Sequence, residues 1–169
     1  MSNDIILGRS VLGPASLYDF VRTEISEAQH PLSLALLEYW RELERDGGMR
    51  LGRDIPARAL AAVLPYTIIA QPVGQWDNAR VRLAGTALVE RFGRDITGMM
   101  QSEIFGPDPN SHLIILKLSR RAVKTRDPSL IETRISKAGI EAMRLEIVLV
   151  PINSPDGSEV WGLGGVFKF

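Results

Sequence analysis

The side chains that could carry out chemistry are few in this chain of 169 residues. It has no cysteine, and its two histidines are His30 and His112. The missing thiols exclude a cysteine nucleophile, an iron–sulfur cluster and a cysteine-based zinc site. Serine, aspartate and glutamate occur, but none stands in a nucleophile-elbow sequence or at a spacing typical of a catalytic pair. We therefore expect no metal site and no enzyme activity.

A cluster of glycines near the C-terminus resembles a nucleotide-binding loop in composition. It consists of Gly162, Gly164 and Gly165. The cluster lies inside a predicted strand, and no helix follows it whose N-terminus could hold a phosphate. We interpret these glycines as places where neighbouring atoms closely approach the backbone of the strand.

A basic stripe lies on the helix predicted to end near residue 125. Its members, at i, i+3, i+4 and i+7, are Lys117, Arg120, Arg121 and Lys124. The stripe could meet an anionic partner or ligand. The interpretation that we favour is a charged face exposed to water, with the opposite apolar face packed on a sheet.

The chain carries 20 basic and 20 acidic residues, so its formal net charge is zero. This balance argues against attraction of the whole molecule to nucleic acid or to an anionic membrane. No apolar run approaches the ~20 residues that a membrane-spanning helix needs. Residues 1–4 lack the basic region of a signal peptide. We expect a cytoplasmic protein with no nucleic-acid or membrane partner.

Apolar residues at helical spacing predict helices at residues 14–28 and at about residues 31–45. The second helix carries one apolar stripe, made of Leu32, Leu36, Tyr39, Trp40 and Leu43. This stripe could pack on the core of its own chain or form a dimer interface, and both interpretations stay open. Because two amphipathic helices are more than one small sheet needs, we expect a homodimer that buries much of residues 14–45. Residues 1–45 are assigned to an N-terminal extension, and residues 46–169 to a domain.

The remainder of the chain is predicted as five strands with helices inserted between the second and the third. The strand patterns cover residues 66–73, 79–84, 130–137, 141–151 and 159–168, and a short helix at residues 56–63 precedes them. Pro155 and Gly157 indicate a hairpin before the last strand. This order is not the strand–helix alternation of a parallel sheet, so it predicts an α+β fold with an antiparallel sheet.

Several short sequence features resemble those of a family of PAS-like proteins from α-proteobacteria. They are Tyr39-Trp40, Leu64-Pro65, an Arg-Leu-Ala-Gly-Thr run at residues 82–86, a Phe-Gly-Arg-Asp run at residues 92–95, and Thr97-Gly98. The resemblance covers about residues 30–169. It implies a five-stranded antiparallel sheet in the order 2-1-5-4-3 with helices on one face, here preceded by an N-terminal helical extension. It also implies a stand-alone sensory or regulatory domain that signals by associating with a protein partner or with itself.

The resemblance leaves two alternatives to a sensor. The same cavity could serve a metabolite-binding enzyme or carrier, or the core could be filled, as in a ligand-free interaction scaffold. A cavity filled by five apolar side chains would favour the scaffold, namely those of Met99, Met100, Ile104, Phe105 and Leu116.

The resemblance places any ligand between the sheet and the helices of residues 98–125. The candidate ligand-binding residues are Arg82, Arg94, Met99, Ile104, Phe105 and Leu116. Arginine offers a planar fork of donors that suits a carboxylate, so either arginine could select an acidic ligand. The alternative that we favour is a structural salt bridge of each arginine, with Glu90 or Asp95.

The resemblance also bears on cofactors. Haem-binding PAS sensors use a histidine on the corresponding helix, which makes His112 a candidate, but a histidine at a helix start is more typical of a solvated residue. Chromophores attached through cysteine, as in the flavin adduct of LOV domains and in a cinnamoyl thioester, are excluded because the chain has no cysteine. Non-covalent flavin stays open. We expect no cofactor and a colourless protein.

Overall fold

A single antiparallel sheet organises the molecule. The computed structural model describes residues 18–105 and 109–169, without the side chains of residues 105 and 109–111. The strands are β1 (Asp19–Ile25), β2 (Thr67–Val73), β3 (Asn78–Ala84), β4 (Ser129–Lys137), β5 (Ile140–Asn153) and β6 (Val160–Lys168). They lie in the order β1-β4-β5-β6-β2-β3.

The five strands predicted from the sequence lie in the predicted order. Counted from β2, the arrangement β3-β2-β6-β5-β4 is the order 2-1-5-4-3. β2 and β6 are antiparallel neighbours, with Thr67 opposite Gly165. The predicted hairpin joins β5 to β6, and its Gly157 has a φ of 75°. The predicted α+β class with an antiparallel sheet is therefore confirmed.

A sixth strand, β1, replaces the helix predicted at residues 14–28. It pairs with β4 over its whole length, and residues 14–17 lie outside the described part of the chain. Phe20 packs on one face of the sheet and Ile25 on the other. The helix prediction was wrong because the apolar spacing of this segment also fits a strand, and its β-branched and aromatic residues suit the open edge of β4.

Helices cover both faces of the sheet. They are α1 (Pro31–Glu44), α2 (Thr86–Phe92), α3 (Gln101–Phe105) and α4 (Pro109–Thr125). α2, α3 and α4 share one face, as predicted, through Leu88, Ile104 and Leu118. The helix predicted at residues 56–63 is instead one 3₁₀ turn, Arg58–Leu60, and a second 3₁₀ turn, Leu64–Tyr66, follows it. Pro65 limits this segment, and helices of so few residues gain little from propensity alone.

The amphipathic helix α1 lies on the opposite face and packs on its own sheet. Leu36 and Trp40 are buried in a cluster with residues of β5 and β6, and the Trp40 Nε1 donates a hydrogen bond to the Pro151 carbonyl at 2.8 Å. Leu32, Tyr39 and Leu43 pack against the same cluster. Of the two interpretations of the stripe, the structure shows packing on its own core. The division at residue 45 stays a prediction, although α1 shares one hydrophobic core with the sheet.

The hairpin between β5 and β6 is closed by a carboxylate. Asp156 Oδ1 accepts hydrogen bonds from the Ser158 backbone N–H at 2.9 Å, from the Ser158 hydroxyl at 2.7 Å and from the Ser154 hydroxyl at 2.8 Å. These donors, the Ser158 backbone N–H first, hold the pKa of Asp156 at about 2. Hydrogen bonds to the charged form favour it over the neutral acid.

The low pKa of Asp156 predicts a pH-dependent contribution to stability. Since the folded-state value lies below that of an unfolded aspartate, ~3.9, the stabilisation is complete above pH ~4 and is lost as the pH falls towards about 2. We expect Asp156→Asn to lower Tm at neutral pH, and the difference from wild type to shrink at acidic pH. Thermal unfolding across pH, with NMR titration of the carboxyl group, measures both. A titration midpoint near 4 would contradict the prediction.

Candidate functional site

A cavity of about 90 Å³ lies between the sheet and α4. Its floor is formed by apolar side chains of β2, β5 and β6, among them Ile68, Leu149 and Val166. Phe92 of the α2 end and Ile104 of α3 close one side. The cavity lies in the region where the family resemblance implies a ligand, between the sheet and the helices of residues 98–125.

The floor of the cavity contains stretches of bare backbone in β6. A Cβ atom at Gly162 would lie 3.0 Å from the Trp76 indole, and one at Gly164 would lie 3.3 Å from the Leu149 side chain. At Gly165 it would lie 2.6 Å from the Phe167 ring, on the other face of the sheet. The interpretation of these glycines as sites of close approach is therefore confirmed.

One end of the cavity is closed by Trp76, in the hairpin between β2 and β3. Its backbone has a φ of 64°, and its side chain is only 5% exposed. A bulky residue in this left-handed region is strained by about 1–3 kcal/mol. Contacts with Ala79 and Leu116 hold the ring inside the protein. The strain is thus compensated by burial of the indole against the cavity.

The roof of the cavity is one face of α4. Ile115, Ser119, Ala122 and Val123 line it at i, i+4, i+7 and i+8, which places them side by side on the helix. The spacing shows that α4 packs its apolar face on the sheet, as the sequence predicted. Ser119 is a polar residue in the middle of that apolar face.

Two arginines of the basic stripe, Arg120 and Arg121, connect α4 to its neighbours. Arg120 contacts the hairpin between β2 and β3, and Arg121 contacts β1. The Arg120 Nε donates to the Gln75 carbonyl at 2.8 Å, and its Nη2 donates to the Trp76 carbonyl at 3.4 Å. Arg121 forms an ion pair with Glu24 of β1, and this guanidinium holds the pKa of Glu24 below its usual range. Lys117 and Lys124 are exposed. The stripe is therefore partly solvated and partly used to hold the helix.

Two polar side chains line the cavity. The Gln101 Nε2 lies 3.3 Å from both the carbonyl oxygen and the Nδ1 of His112, so this amide is already engaged. Ser119 is 8% exposed, and its hydroxyl has no hydrogen-bond partner within residues 18–105 and 109–169. No charged side chain of this described part lines the cavity. The space is therefore apolar, with one unpaired hydroxyl.

Only some of the residues predicted to bind a ligand lie at the cavity. Ile104 lines the cavity, Met99 packs against the cluster that contains Ile104, and Leu116 packs behind the end wall with Trp76. The side chain of Phe105 lies outside the described part of the structure. A cavity therefore lies in the predicted region, but few of the predicted residues line it.

The two predicted arginines do not line the cavity. Arg82 is the extra residue of a β-bulge, since Leu83 pairs with Ile69 whereas Val81 pairs with Ala70. Its guanidinium lies 5.4 Å from the centroid of the Trp161 ring, on the opposite face of the sheet. Arg94 is exposed in the turn after α2. An acidic ligand in this cavity would not meet either guanidinium.

The salt bridges expected for these arginines are also not found among the described residues. Asp95 instead accepts a hydrogen bond from the Thr97 backbone N–H at 2.9 Å, which lowers the pKa of Asp95. Arg82 has an aromatic ring as its partner and not a carboxylate. The expectation of a salt bridge with Glu90 or Asp95 was therefore wrong for both arginines.

His112, the haem candidate, is partly buried at the start of α4 and is not among the residues that line the cavity. Burial lowers the pKa of the His112 imidazole below its ordinary value. Its Nδ1 contacts the Gln101 amide. Within the described residues there is no group of three or more side chains that could hold a metal ion. Absence of a cofactor stays a prediction.

Sequence reasoning missed Trp76 and Ser119. Trp76 lies in the turn between two predicted strands, and nothing in its neighbours indicates that the ring folds inward. Ser119 left a signal that could have been used, because it interrupts the apolar face of an amphipathic helix. A polar residue at such a position faces the core, where its polar group needs a hydrogen-bond partner.

Comparison with known proteins gives one result. A family model described as PAS domain matches residues 28–167, from just before α1 into β6. No curated protein and no solved structure matches the chain. In the described part of the chain, no helix has the length and apolar character needed to cross a membrane.

Proposed function

Because the chain belongs to the PAS domain family, whose members are sensory and regulatory modules, we propose that it senses a small ligand. The ligand binds between the sheet and α4, and the signal leaves through association with a protein partner. The observation that carries this proposal is the cavity of about 90 Å³. The narrower resemblance to α-proteobacterial proteins, the cytoplasmic location and the cofactor-free state remain predictions.

The unfilled space favours a ligand over a scaffold. Protein interiors are packed to a density that leaves few voids larger than a water molecule. An apolar void costs stability through lost contacts, by roughly 24 cal/mol per Å³. Ile104 lines the space without filling it, and Leu116 lies behind the Trp76 wall. A scaffold would gain from closing such a space, whereas a sensor needs it.

The enzyme alternative gains no support from the cavity. Acid–base or nucleophilic chemistry needs titratable or activated groups close to the reacting atoms. The polar side chains at the described lining are Gln101 and Ser119, and neither is titratable. The imidazole of His112, which contacts Gln101, does not line the cavity. A carrier would use the same contacts as a sensor, so turnover of a metabolite is the measurement that would favour an enzyme.

The homodimer that buries residues 14–45 stays part of the proposal, with exposed side chains of this segment such as Val21 and Leu34 in place of the α1 stripe. The apolar stripe on α1 is already packed on its own sheet. Stable interfaces usually bury more than ~1,000 Å² in total, and this stripe has no such area to offer. Light scattering over a range of concentrations, with and without ligand, tests both self-association and its coupling to binding.

We expect the protein to carry a small molecule, and filling the cavity to exclude it. Ala122 lines the roof, so Ala122→Leu places extra side-chain atoms into the space. Ala35, which is exposed on α1, provides the matched control Ala35→Leu. Native mass spectrometry should find a bound molecule in the wild type and in the control, and none in Ala122→Leu. Thermal unfolding checks that all three are folded.

The same variants allow a test with added probes. A ligand that binds the folded state stabilises it by about 2.7 kcal/mol at a concentration of 100 Kd. For a protein of this size that corresponds to a rise in Tm of roughly 5–10 °C. Toluene or phenol should raise Tm in the wild type and in Ala35→Leu, but not in Ala122→Leu. No bound molecule and no response to either probe would contradict the ligand-binding function.

A further inference from the structure

We infer that the ligand is an uncharged, mostly apolar small molecule with one hydrogen-bonding group, and that the Ser119 hydroxyl binds that group. This inference rests on the proposed function, because it concerns the same cavity. Three properties of the cavity carry it: the charge of its lining, the state of its polar side chains, and its size.

The lining excludes a charged ligand. In the described part of the chain, the side chains around the cavity are apolar except for those of Gln101 and Ser119. A carboxylate or ammonium group placed there would lose its hydration without meeting an opposite charge, which costs far more than one hydrogen bond returns. The guanidinium of Arg82, the charge expected from the sequence, lies across the sheet on Trp161. Only a neutral molecule is compatible with this environment.

Ser119 is the polar group that remains available. It is more than nine-tenths buried, lies between Ile115 and Ala122 on the roof, and has no partner among the described residues. The Gln101 amide already contacts His112. A hydroxyl that lines the cavity without a protein partner is available to a ligand, and a ligand group that meets it gains a hydrogen bond. A hydroxyl both donates and accepts, so the ligand group can be of either kind.

The size of the cavity limits the apolar part of the ligand. One water needs about 10–15 Å³ of such space, so about 90 Å³ has room for a compact molecule with few atoms. The Trp76 ring sets the limit at one end, where it contacts Gly162. We therefore expect a ligand of the size of a single aromatic ring or a short branched chain.

Toluene and phenol provide the test, because they have the same shape and differ in a methyl and a hydroxyl group. Binding is measured by calorimetry on the full chain. The two affinities are first corrected for the different free energies of transfer of the two molecules from water. After this correction, we expect the wild type to prefer phenol over toluene by roughly threefold to tenfold. In Ser119→Ala the preference should disappear while the affinity for toluene is retained. Ser26→Ala, at an exposed serine, should behave as the wild type.

A second pair of probes tests the charge argument without any variant. Benzamide and benzoate have similar shapes, and only benzoate is charged at pH 7. We expect benzamide to bind at least 100-fold more tightly than benzoate. Equal affinities, or tighter binding of benzoate, would overturn the inference of a neutral ligand.

The outcomes separate this inference from the function on which it rests. If neither toluene nor phenol binds, the proposed ligand-binding function fails. If the two molecules bind equally in the wild type after correction for their transfer from water, or if Ser119→Ala keeps the preference for phenol, the role of Ser119 is refuted while the cavity remains a binding site. The inference is supported if the wild type and Ser26→Ala prefer phenol and Ser119→Ala does not.

Discussion

Gly85→Ala is expected to lower the free energy of unfolding by about 3 kcal/mol, at the upper end of the usual cost of overpacking. A Cβ atom at this position would lie 2.3 Å from the carbonyl oxygens of Leu64 and Pro65. Both are backbone atoms, so relief requires a shift of the 3₁₀ turn that leads into β2. The Gly85 N–H also donates to the Thr67 carbonyl at 2.7 Å, and this contact holds the two segments together.

The conformation of Gly85 separates packing from backbone strain. Its φ of −66° is accessible to alanine, so the expected loss comes from the clash alone. Gly93→Asn is the matched control, because Gly93 has a φ of 72°, no atom lies within 4 Å of its added Cβ, and asparagine tolerates this conformation. Urea unfolding of both variants measures the difference. Equal stabilities of Gly85→Ala and wild type would show that the Leu64-Pro65 turn moves aside freely.

Glu146→Gln is expected to lower the free energy of unfolding by about 2 kcal/mol, within the range for an unsatisfied buried group. Glu146 is fully buried in β5. Its carboxylate accepts hydrogen bonds from the backbone N–H of Gln29 at 2.9 Å and of His30 at 3.1 Å. A glutamine replaces one of these acceptor oxygens by an NH₂ donor, which then faces another donor.

The position of these contacts predicts where the structure should loosen. Gln29 and His30 connect β1 to α1, and the His30 Nδ1 accepts the Leu32 N–H at 3.1 Å as the helix cap. Hydrogen exchange in Glu146→Gln should therefore rise first in β1 and at the start of α1. Glu141→Gln, at an exposed glutamate of the same strand, should change stability by less than about 0.5 kcal/mol. A uniform rise in exchange would contradict this assignment.

The order of the sheet could be predicted from the sequence because local signals were consistent with one another. Pro155 and Gly157 mark the turn before β6, and the alternating residues of β4 and β5 match their two covered faces. The family resemblance supplied the order of the strands. Gly85 and Leu64-Pro65, quoted only as motif residues, turn out to be in contact. That contact explains why these residue types occur together.

The wrong predictions concern residues whose conformation depends on neighbours that are distant in the sequence. The segment of β1 has apolar spacing that fits a helix, and only the open edge of β4 selects a strand. Arg82 alternates with Val81, which lines the cavity, so the arginine lies on the other face of β3, and the sequence does not show which of the two faces meets the cavity. Trp76 is drawn inward by Gly162, which lies more than eighty residues later in the chain. No local pattern contains these three-dimensional relations.

The bare backbone of β6 has a consequence for how the proposed ligand preference can evolve. At Gly162 and Gly164 the cavity meets peptide groups whose polar atoms are used in the ladders with β2 and β5. These groups cannot distinguish one neutral molecule from another. Discrimination is therefore concentrated on one face of α4, at Ser119 and its neighbours. Substitutions there can change which molecule is selected while the central strands, and with them the fold, stay as they are.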